Sequence, residues 1–262
     1  MNWIEIAVLI FAGLAVGFIN TLAGGGSVIS LSVLMLMGLP APVANGTNRI
    51  AVTIQTLTAA TVFKKKKVLD LRKGTILGIP SAIGSLIGAY IAVDINENIF
   101  EKVFAVIMLI MLVFVFYNPE KYIYGKPEKL NRKVNWVQVV MFFFIGIYGG
   151  FVHVGIGYFL LAALLLNVGY DLVKANAVKV LIVLMYMPFS FLIFIWKSDI
   201  HWLYGLVMTI GSVAGAYIAS HLAVTKGITF VKWSIVAVTV FMAGHFLGIY
   251  NIKEIFGAML GK

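Results

Sequence analysis

Cysteine is absent from the 262-residue chain. Without it the protein has no disulfides, no thiolate nucleophile and no thiolate metal ligand. The four histidines show no HExxH pattern or other ligand spacing, so we expect neither a metal site nor a cofactor. No nucleophile, base and orienting group recur together, and we therefore expect no catalytic residues and no enzyme activity.

Charged residues are also scarce: they make up 11% of the chain, against 61% hydrophobic residues, whereas a soluble domain carries about 25% charged residues. Apolar runs recur along the whole length, which predicts an integral membrane protein without a separate soluble domain. Residues 1–5 lack the basic region and cleavage site of a secretory signal, so we expect residues 4–18 to form a retained first helix.

Acidic residues are fewer than basic residues: the chain has 10 Asp and Glu against 20 Lys and Arg. Most of the basic excess lies in loops beside apolar segments, the pattern that sets the orientation of a membrane protein. We therefore expect the lipid bilayer, and no nucleic acid, as the partner of this charge.

Ten apolar segments follow one another and predict an all-α polytopic membrane protein. Two of them, 27–39 and 156–168, are too short to cross a bilayer of about 30 Å comfortably, and a re-entrant path is the alternative for both. The predicted segments are about 4–22, 27–39, 43–63, 75–93, 99–117, 135–153, 156–168, 173–196, 203–221 and 228–249.

The last five segments repeat the first five. Residues 84–92 match residues 211–219 at seven of nine positions. This predicts two transmembrane repeats, 1–118 and 135–262, joined by a basic cytoplasmic linker at 119–134. Further matches, all at one common spacing, pair Gly24, Gly26, Gly38, Ala44 and Asn45 with Gly155, Gly157, Gly169, Ala175 and Asn176.

Five segments per repeat is an odd number, so the second repeat enters the membrane from the opposite side when every segment crosses. The loop charges agree, because residues 64–67 are strongly basic whereas their counterpart, residues 197–199, is neutral. We therefore expect an inverted repeat with both termini on the non-cytoplasmic side and with broken or short helices near the midplane.

Three GxxxG patterns, at 74–78, 84–88 and 211–215, form small faces on which helices approach closely. Tight packing inside the chain is the favoured interpretation. The alternative is a moving surface or the interface of a homodimer.

Ionisable residues deep in a bilayer are functional candidates because a charge there is costly. Arg49, Lys179 and His153 fall inside predicted segments or at their ends, and no Asp or Glu is similarly placed. Many ion-coupled carriers use buried carboxylates, so this cationic interior favours a small anionic substrate. The alternative is that Arg49, Lys179 and also Lys174 reach out to water from helix ends.

The glycine run at 24–27 can end one helix and begin another, with Ser27 as the expected N-cap. The free N–H groups of such a helix start bind anions, and many transporters build substrate sites from broken helices. A matching break lies at 155–157. We expect one anion site between the breaks, lined by Asn20, Thr21, Gly24, Gly25, Gly26, Ser27, Asn45, Asn48, Arg49, His153, Gly155, Gly157, Asn176 and Lys179.

His153 takes the place of Asn20 in the second repeat. It is therefore the histidine that we would test for proton coupling. The alternative is a neutral histidine that is hydrogen-bonded between helices.

The motif GFINTLAGGGS at 17–27, followed by GLP at 38–40 and ANGTNR at 44–49, resembles the sulfite exporter TauE/SafE family of membrane permeases. GGFVHVGIG at 149–157 and VKANAVK at 173–179 are similar to the second signature of that family.

The resemblance implies a transporter of anions such as sulfite, sulfoacetate or other organosulfonates. Val178 stands where family members commonly have threonine, so the role of that threonine is not carried over. We expect a multi-pass secondary transporter of the cell inner membrane that exports these anions by alternating access. An anion channel, or a uniporter for a different small oxyanion, is the alternative.

Overall fold

The computed structural model describes residues 1–96, 99, 124–130, 132–197 and 200–246, and all regular structure in these ranges is helical. The predicted segment 99–117 lies outside them, apart from residue 99, as do residues 247–262. The helices longer than one turn in the described ranges are α1 (Trp3–Leu22), α2 (Ser27–Leu36), α3 (Ala41–Lys65), α4 (Leu71–Asp94), α5 (Trp136–Phe151), α6 (Ile156–Ala163), α7 (Leu172–Lys197) and α8 (Trp202–Phe246).

Four of these helical stretches are long and apolar enough to cross a bilayer: α1, α4, α7 and the Trp202–Gly227 part of α8. The α8 run is broken at Gly227, whose φ of 71° is not helical. The shorter apolar helices are α2, α5 and α6, the last continued by a π-helical turn at Leu164–Val168. This confirms a polytopic all-helical membrane protein, whereas the count of ten segments and the inversion stay predictions.

The two halves begin with the same capping signal. Asn2 accepts a hydrogen bond from the Glu5 N–H at 2.8 Å, and Asn135 accepts one from the Gln138 N–H at 2.9 Å. In both cases the N3 side chain returns a bond to the cap, which satisfies N–H groups that the first turn leaves free. The two caps stand as far apart in the sequence as Asn20 and His153 do, so the capping signals are equivalent positions of the repeat.

Helix packing has the same form in the two halves. α1 packs on α8 as α5 packs on α4, while α3 contacts α8 as α7 contacts α4. The remaining large interface joins α3 to α7, which are equivalent helices of the two halves. The site residues lie mainly on these two helices and at the carboxyl ends of α1 and α5.

The GxxxG faces mediate this packing. A Cβ atom at Gly88 would lie 1.9 Å from the Ile147 carbonyl oxygen, and one at Gly215 would lie 2.1 Å from that of Leu14. Side chains of any size would force these helices apart, so the prediction of tight packing inside the chain is confirmed. The homodimer stays a prediction. The GxxxG faces offer no free surface for it, because they are occupied by helices of the same chain.

The described part of the predicted linker lies against the ends of neighbouring helices. Lys73 donates hydrogen bonds from its Nζ to the Leu130 and Arg132 carbonyl oxygens, and Lys129 donates one to the Leu166 carbonyl oxygen at 2.7 Å. Lysines near helix carboxyl ends satisfy carbonyl groups that would otherwise lack donors.

A polar contact outside the spanning segments joins the halves. The Tyr170 hydroxyl donates to the Asp70 carboxylate at 2.7 Å. Burial raises the pKa of Tyr170 well above its usual range, and the hydrogen bond to Asp70 and the charge of that carboxylate act in the same direction.

Candidate functional site

Two helix breaks form the framework of the site. The first separates α1 from α2, where Gly24 has a φ of 93°, a conformation that favours glycine. The expected cap at this break is wrong: Gly26 is the N-cap, and Ser27 is the first residue of α2. The Ser27 hydroxyl instead accepts a hydrogen bond from the Asn20 amide at 3.3 Å, so the side chain is directed to α1 and not to its own helix.

The second break, between α5 and α6, contains two residues with positive φ. Gly155 has a φ of 68° at the position equivalent to Gly24, and His153 has a φ of 56°. A non-glycine residue in this region is uncommon and strained, and such residues cluster at functional sites, so His153 is a candidate functional residue. The His153 side chain is buried.

The two breaks touch each other through main-chain atoms. A Cβ atom at Gly157 would lie 2.4 Å from the Gly24 Cα and 2.5 Å from the Ala23 carbonyl oxygen. The approach requires glycine on both sides and brings the ends of four helices to one place.

A small cavity of about 20 Å³ lies beside this contact. This volume is enough for about one water molecule, so a polyatomic anion requires the cavity to widen. Its lining comes from both breaks and from α3 and α7: Asn20, Thr21, Gly24, Gln55, Thr56, His153, Ile156, Gly157, Lys179, Val180 and Val183.

Lys179 provides the positive charge of the cavity wall. The residue is 1% exposed, and its Nζ donates to the carbonyl oxygens of Asn20 at 3.1 Å and Thr21 at 2.9 Å. These carbonyls belong to the last turn of α1, where the helix dipole is negative and attracts a cation.

Arg49 makes the equivalent contact with the other half. Its Nη2 donates to the Gly150 carbonyl oxygen at 2.5 Å and its Nη1 to the Ser190 hydroxyl at 2.7 Å. The guanidinium carbon also lies 4.3 Å from the centre of the Phe194 ring, a cation–π contact. Arg49 is fully buried, so the alternative in which Arg49 and Lys179 extend to water is wrong for both.

Lys174, in contrast, does reach out to water from a helix end, as the alternative expects. Its side chain is 49% exposed and forms an ion pair with Asp171 at 3.8 Å, on the surface at the start of α7. The residue is therefore not part of the buried site.

His153 is held by a tyrosine from α7. Its Nδ1 lies 2.6 Å from the Tyr186 hydroxyl, and the Tyr186 side chain is fully buried. This is the histidine hydrogen-bonded between helices that the sequence left as the alternative to proton coupling. The same bond joins the His153 ring to the Tyr186 hydroxyl, a second group that carries a proton.

Several buried amides have polar atoms without a partner among the residues that the structure describes. Both polar side-chain atoms of Asn48, Gln55 and Asn176 are in this state, as are the Oδ1 atoms of Asn20 and Asn45. A buried polar atom without a hydrogen bond costs about 1–3 kcal/mol. Of these five residues, Asn20 and Gln55 line the cavity, so a polar ligand there would gain free energy by bonding their free atoms.

The predicted site residues divide into three groups. Asn20, Thr21, Gly24, His153, Gly157 and Lys179 line the cavity. Asn45 accompanies Arg49 at the end of α5, where its amide donates to the Phe151 carbonyl oxygen at 2.8 Å. Gly25, Gly26, Ser27, Asn48, Gly155 and Asn176 are not among the lining residues.

A match to known proteins accompanies this geometry. The model of the family "Sulfite exporter TauE/SafE" matches residues 9–246. The chain belongs to this family. A probable membrane transporter protein of Haemophilus influenzae is 28% identical over 237 residues, covering 90% of this chain and 92% of that protein.

Two further relatives carry similar names. Probable membrane transporter protein YfcA of Escherichia coli is 25% identical over 243 residues, covering 92% of this chain and 89% of the relative. Probable membrane transporter protein ORF9 of Sinorhizobium sp. is 23% identical over 239 residues, covering 91% of this chain and 90% of the relative. No solved structure matches.

In this TauE/SafE family member, sequence reasoning missed Gln55, Thr56, Tyr186 and Ser190, all of them buried. The repeat contained a signal for two of them, since Gln55 and Tyr186 have the same spacing as the matched pair Asn45 and Asn176. Gln55 lines the cavity, and Tyr186 binds the histidine that also lines it.

Proposed function

We propose that the protein is a secondary transporter that exports small sulfur-containing anions, such as sulfite, sulfoacetate or a related organosulfonate, across the bacterial inner membrane by alternating access. One observation carries the proposal: Arg49 and Lys179 are fully buried, and the buried residues of the described ranges include no Asp or Glu. A buried charge without a counter-charge is costly, and a mobile anion supplies that counter-charge. The family and the names of its relatives support membrane transport.

The contacts of the two cations support a specific mode of binding. Carbonyl dipoles stabilise a lysine less than an oxyanion does, because two opposite full charges attract each other more strongly than a charge and a dipole, and most strongly in a medium of low dielectric constant. We infer that the Lys179 ammonium exchanges its contacts with Asn20 and Thr21 for substrate oxygens. The exchange frees the last turn of α1, so anion binding is coupled to a change in the first helix break.

The small size of the cavity fits a carrier. Because about 20 Å³ does not hold a polyatomic anion, binding must displace a wall of the cavity. The Gly24–Gly157 contact joins both breaks, so this displacement involves both halves. Alternating access is movement of this kind around a fixed site.

Export of an anion at an inside-negative potential is downhill by about 2.3 kcal/mol per charge per 100 mV. Transport therefore needs no coupled ion, and a uniporter is thermodynamically sufficient. His153 is the residue that we propose for proton coupling, with Tyr186 as its hydrogen-bonded partner.

Efflux from proteoliposomes tests the function. Purified protein would be reconstituted with internal sulfite, sulfoacetate, taurine, sulfate or thiosulfate, and an inside-negative potassium diffusion potential would drive efflux at about pH 6 and about pH 8. We expect saturable efflux of sulfite or of one of the sulfonates. Flux that rises linearly with concentration would instead support a channel, and flux of sulfate alone would identify a different oxyanion.

A further inference from the structure

A second cavity lies on the outer surface of the chain, between the carboxyl end of α3 and α8. It is a groove of about 520 Å³, much larger than the central cavity. Its polar end is formed by Lys65, Lys66 and His221. Its other wall includes Leu57 and the Tyr217 ring, which are 54% and 55% exposed.

The polar end of the groove carries a positive charge. Lys65 and Lys66 are both exposed, and neither makes an ion pair with a carboxylate of the described ranges. They belong to the run of four lysines, 64–67, at the end of α3. The groove therefore attracts an anionic group.

The apolar wall continues the groove toward the membrane interior. Leu57 precedes Lys65 by eight residues in the same helix, which is about 12 Å at 1.5 Å per residue. Tyr217 lies in the Trp202–Gly227 stretch, which is long and apolar enough to span a bilayer. A free anion gains nothing from this wall, whereas a lipid has both an anionic headgroup and a chain of this reach.

We propose that the groove between α3 and α8 binds an acidic phospholipid, with its phosphate at Lys65 and Lys66 and an acyl chain along Leu57 and Tyr217. Basic pockets between transmembrane helices bind acidic headgroups on the cytoplasmic side, and the lysine run is predicted to lie on that side. The site is separate from the central cavity and independent of the transported anion.

The test compares lipid retention by matched charge variants. Purified protein in detergent would be incubated with phosphatidylglycerol or phosphatidylcholine of identical acyl chains, and bound lipid would be measured by native mass spectrometry. We expect wild-type protein to retain phosphatidylglycerol in preference to phosphatidylcholine. Lys65→Gln/Lys66→Gln should weaken this binding roughly tenfold or more, because the charge of each lysine contributes to the free energy of binding an acidic headgroup.

The control is Lys64→Gln/Lys67→Gln, which removes the same charge from the same run at positions that do not line the groove. We expect it to keep most of the phosphatidylglycerol binding. Equal losses in both double variants would overturn the proposal, because they would show attraction to the run as a whole.

Tyr217→Ala tests the apolar wall separately. It should weaken phosphatidylglycerol binding and leave the weak binding of soluble glycerol phosphate unchanged. The proposal is also overturned when glycerol phosphate binds as tightly as phosphatidylglycerol, or when phosphatidylcholine is retained equally well.

Discussion

Arg49 and Lys179 each bind the carboxyl end of a helix that belongs to the other half of the chain. Arg49 of α3 contacts the Gly150 carbonyl of α5, and Lys179 of α7 contacts the Thr21 carbonyl of α1. The two long central helices therefore hold the two broken helices crosswise through buried cations. Loss of either cation should affect both a charge and a helix position.

Lys179→Met retains the approximate length of the side chain and removes its charge. We expect anion efflux to fall at least about tenfold, because the cavity loses the charge that attracts the substrate. The protein should remain folded, since a buried charge is removed together with its desolvation cost. Efflux from proteoliposomes and the thermal unfolding midpoint in detergent would be measured together.

Lys174→Met is the matched control. It removes a lysine near the start of the same helix, α7, whose side chain is 49% exposed. We expect nearly wild-type efflux, and an equal loss in both variants would contradict the assignment of Lys179 to the site.

His153→Gln replaces an ionisable ring by a neutral amide at the cavity. We expect sulfonate efflux by this variant to change much less between about pH 6 and about pH 8 than that by wild type, because the group proposed to exchange protons is gone. A sulfonate group keeps its charge in this range, whereas sulfite itself takes up a proton. His221→Gln, at the surface groove, should keep the wild-type pH profile. A wild-type profile in His153→Gln would contradict the assignment of proton coupling to His153.

Tyr186→Phe removes the hydroxyl that lies 2.6 Å from the His153 Nδ1. Loss of this bond should lower the free energy of unfolding by about 1 kcal/mol. It should also shift the pH profile of efflux, which a purely structural role of Tyr186 would not do. Pairing this variant with His153→Gln in a double-mutant cycle would measure the coupling between the two residues.

Gly88→Ala tests the packing of α4 on α5. The added Cβ would lie 1.9 Å from the Ile147 carbonyl oxygen, and main chain cannot yield as a flexible side chain does. We expect a loss of about 1–3 kcal/mol in the free energy of unfolding, measured by chemical denaturation. Ile83→Ala, at a position of α4 that is 54% exposed, should cost less.

Tyr170→Phe should change the alkaline limit of stability. The pKa of Tyr170 is raised in the folded protein, so its neutral form is favoured by folding and its contribution is complete below the unfolded pKa of about 10. That contribution is lost as the pH rises above this value. We therefore expect wild type to lose more stability than Tyr170→Phe between about pH 9 and about pH 11, with Tyr124→Phe, at a site 78% exposed, behaving like wild type.

The sequence was sufficient to locate the two breaks and most of the buried polar groups. Glycine is favoured where φ is positive, so the positive φ of Gly24 and Gly155 agrees with their residue type. The repeat then pairs the two breaks with each other. The capping pairs at Asn2 and Asn135 are related in the same way, which shows that the repeat extends to the helix starts.

The contacts of the cations were not predictable in the same way. Arg49 and Lys179 bind main-chain carbonyl oxygens, which every residue has, so no side-chain pattern indicates them. Gln55 and Tyr186 were missed because each lies within a helix, away from a glycine break, although the repeat spacing relates them. The positive φ of His153 was also not predictable, because histidine seldom has a positive φ.

The contact between Gly24 and Gly157 has a consequence for genetics. Since a Cβ at Gly157 would meet the Ala23 carbonyl and the Gly24 Cα, the two positions behave as one shared locus although they lie in different halves of the chain. Substitutions at either glycine should therefore give the same loss of transport in a genetic screen, because each of them breaks the same main-chain contact. A second substitution at the partner glycine should add little to that loss, because the contact is already broken.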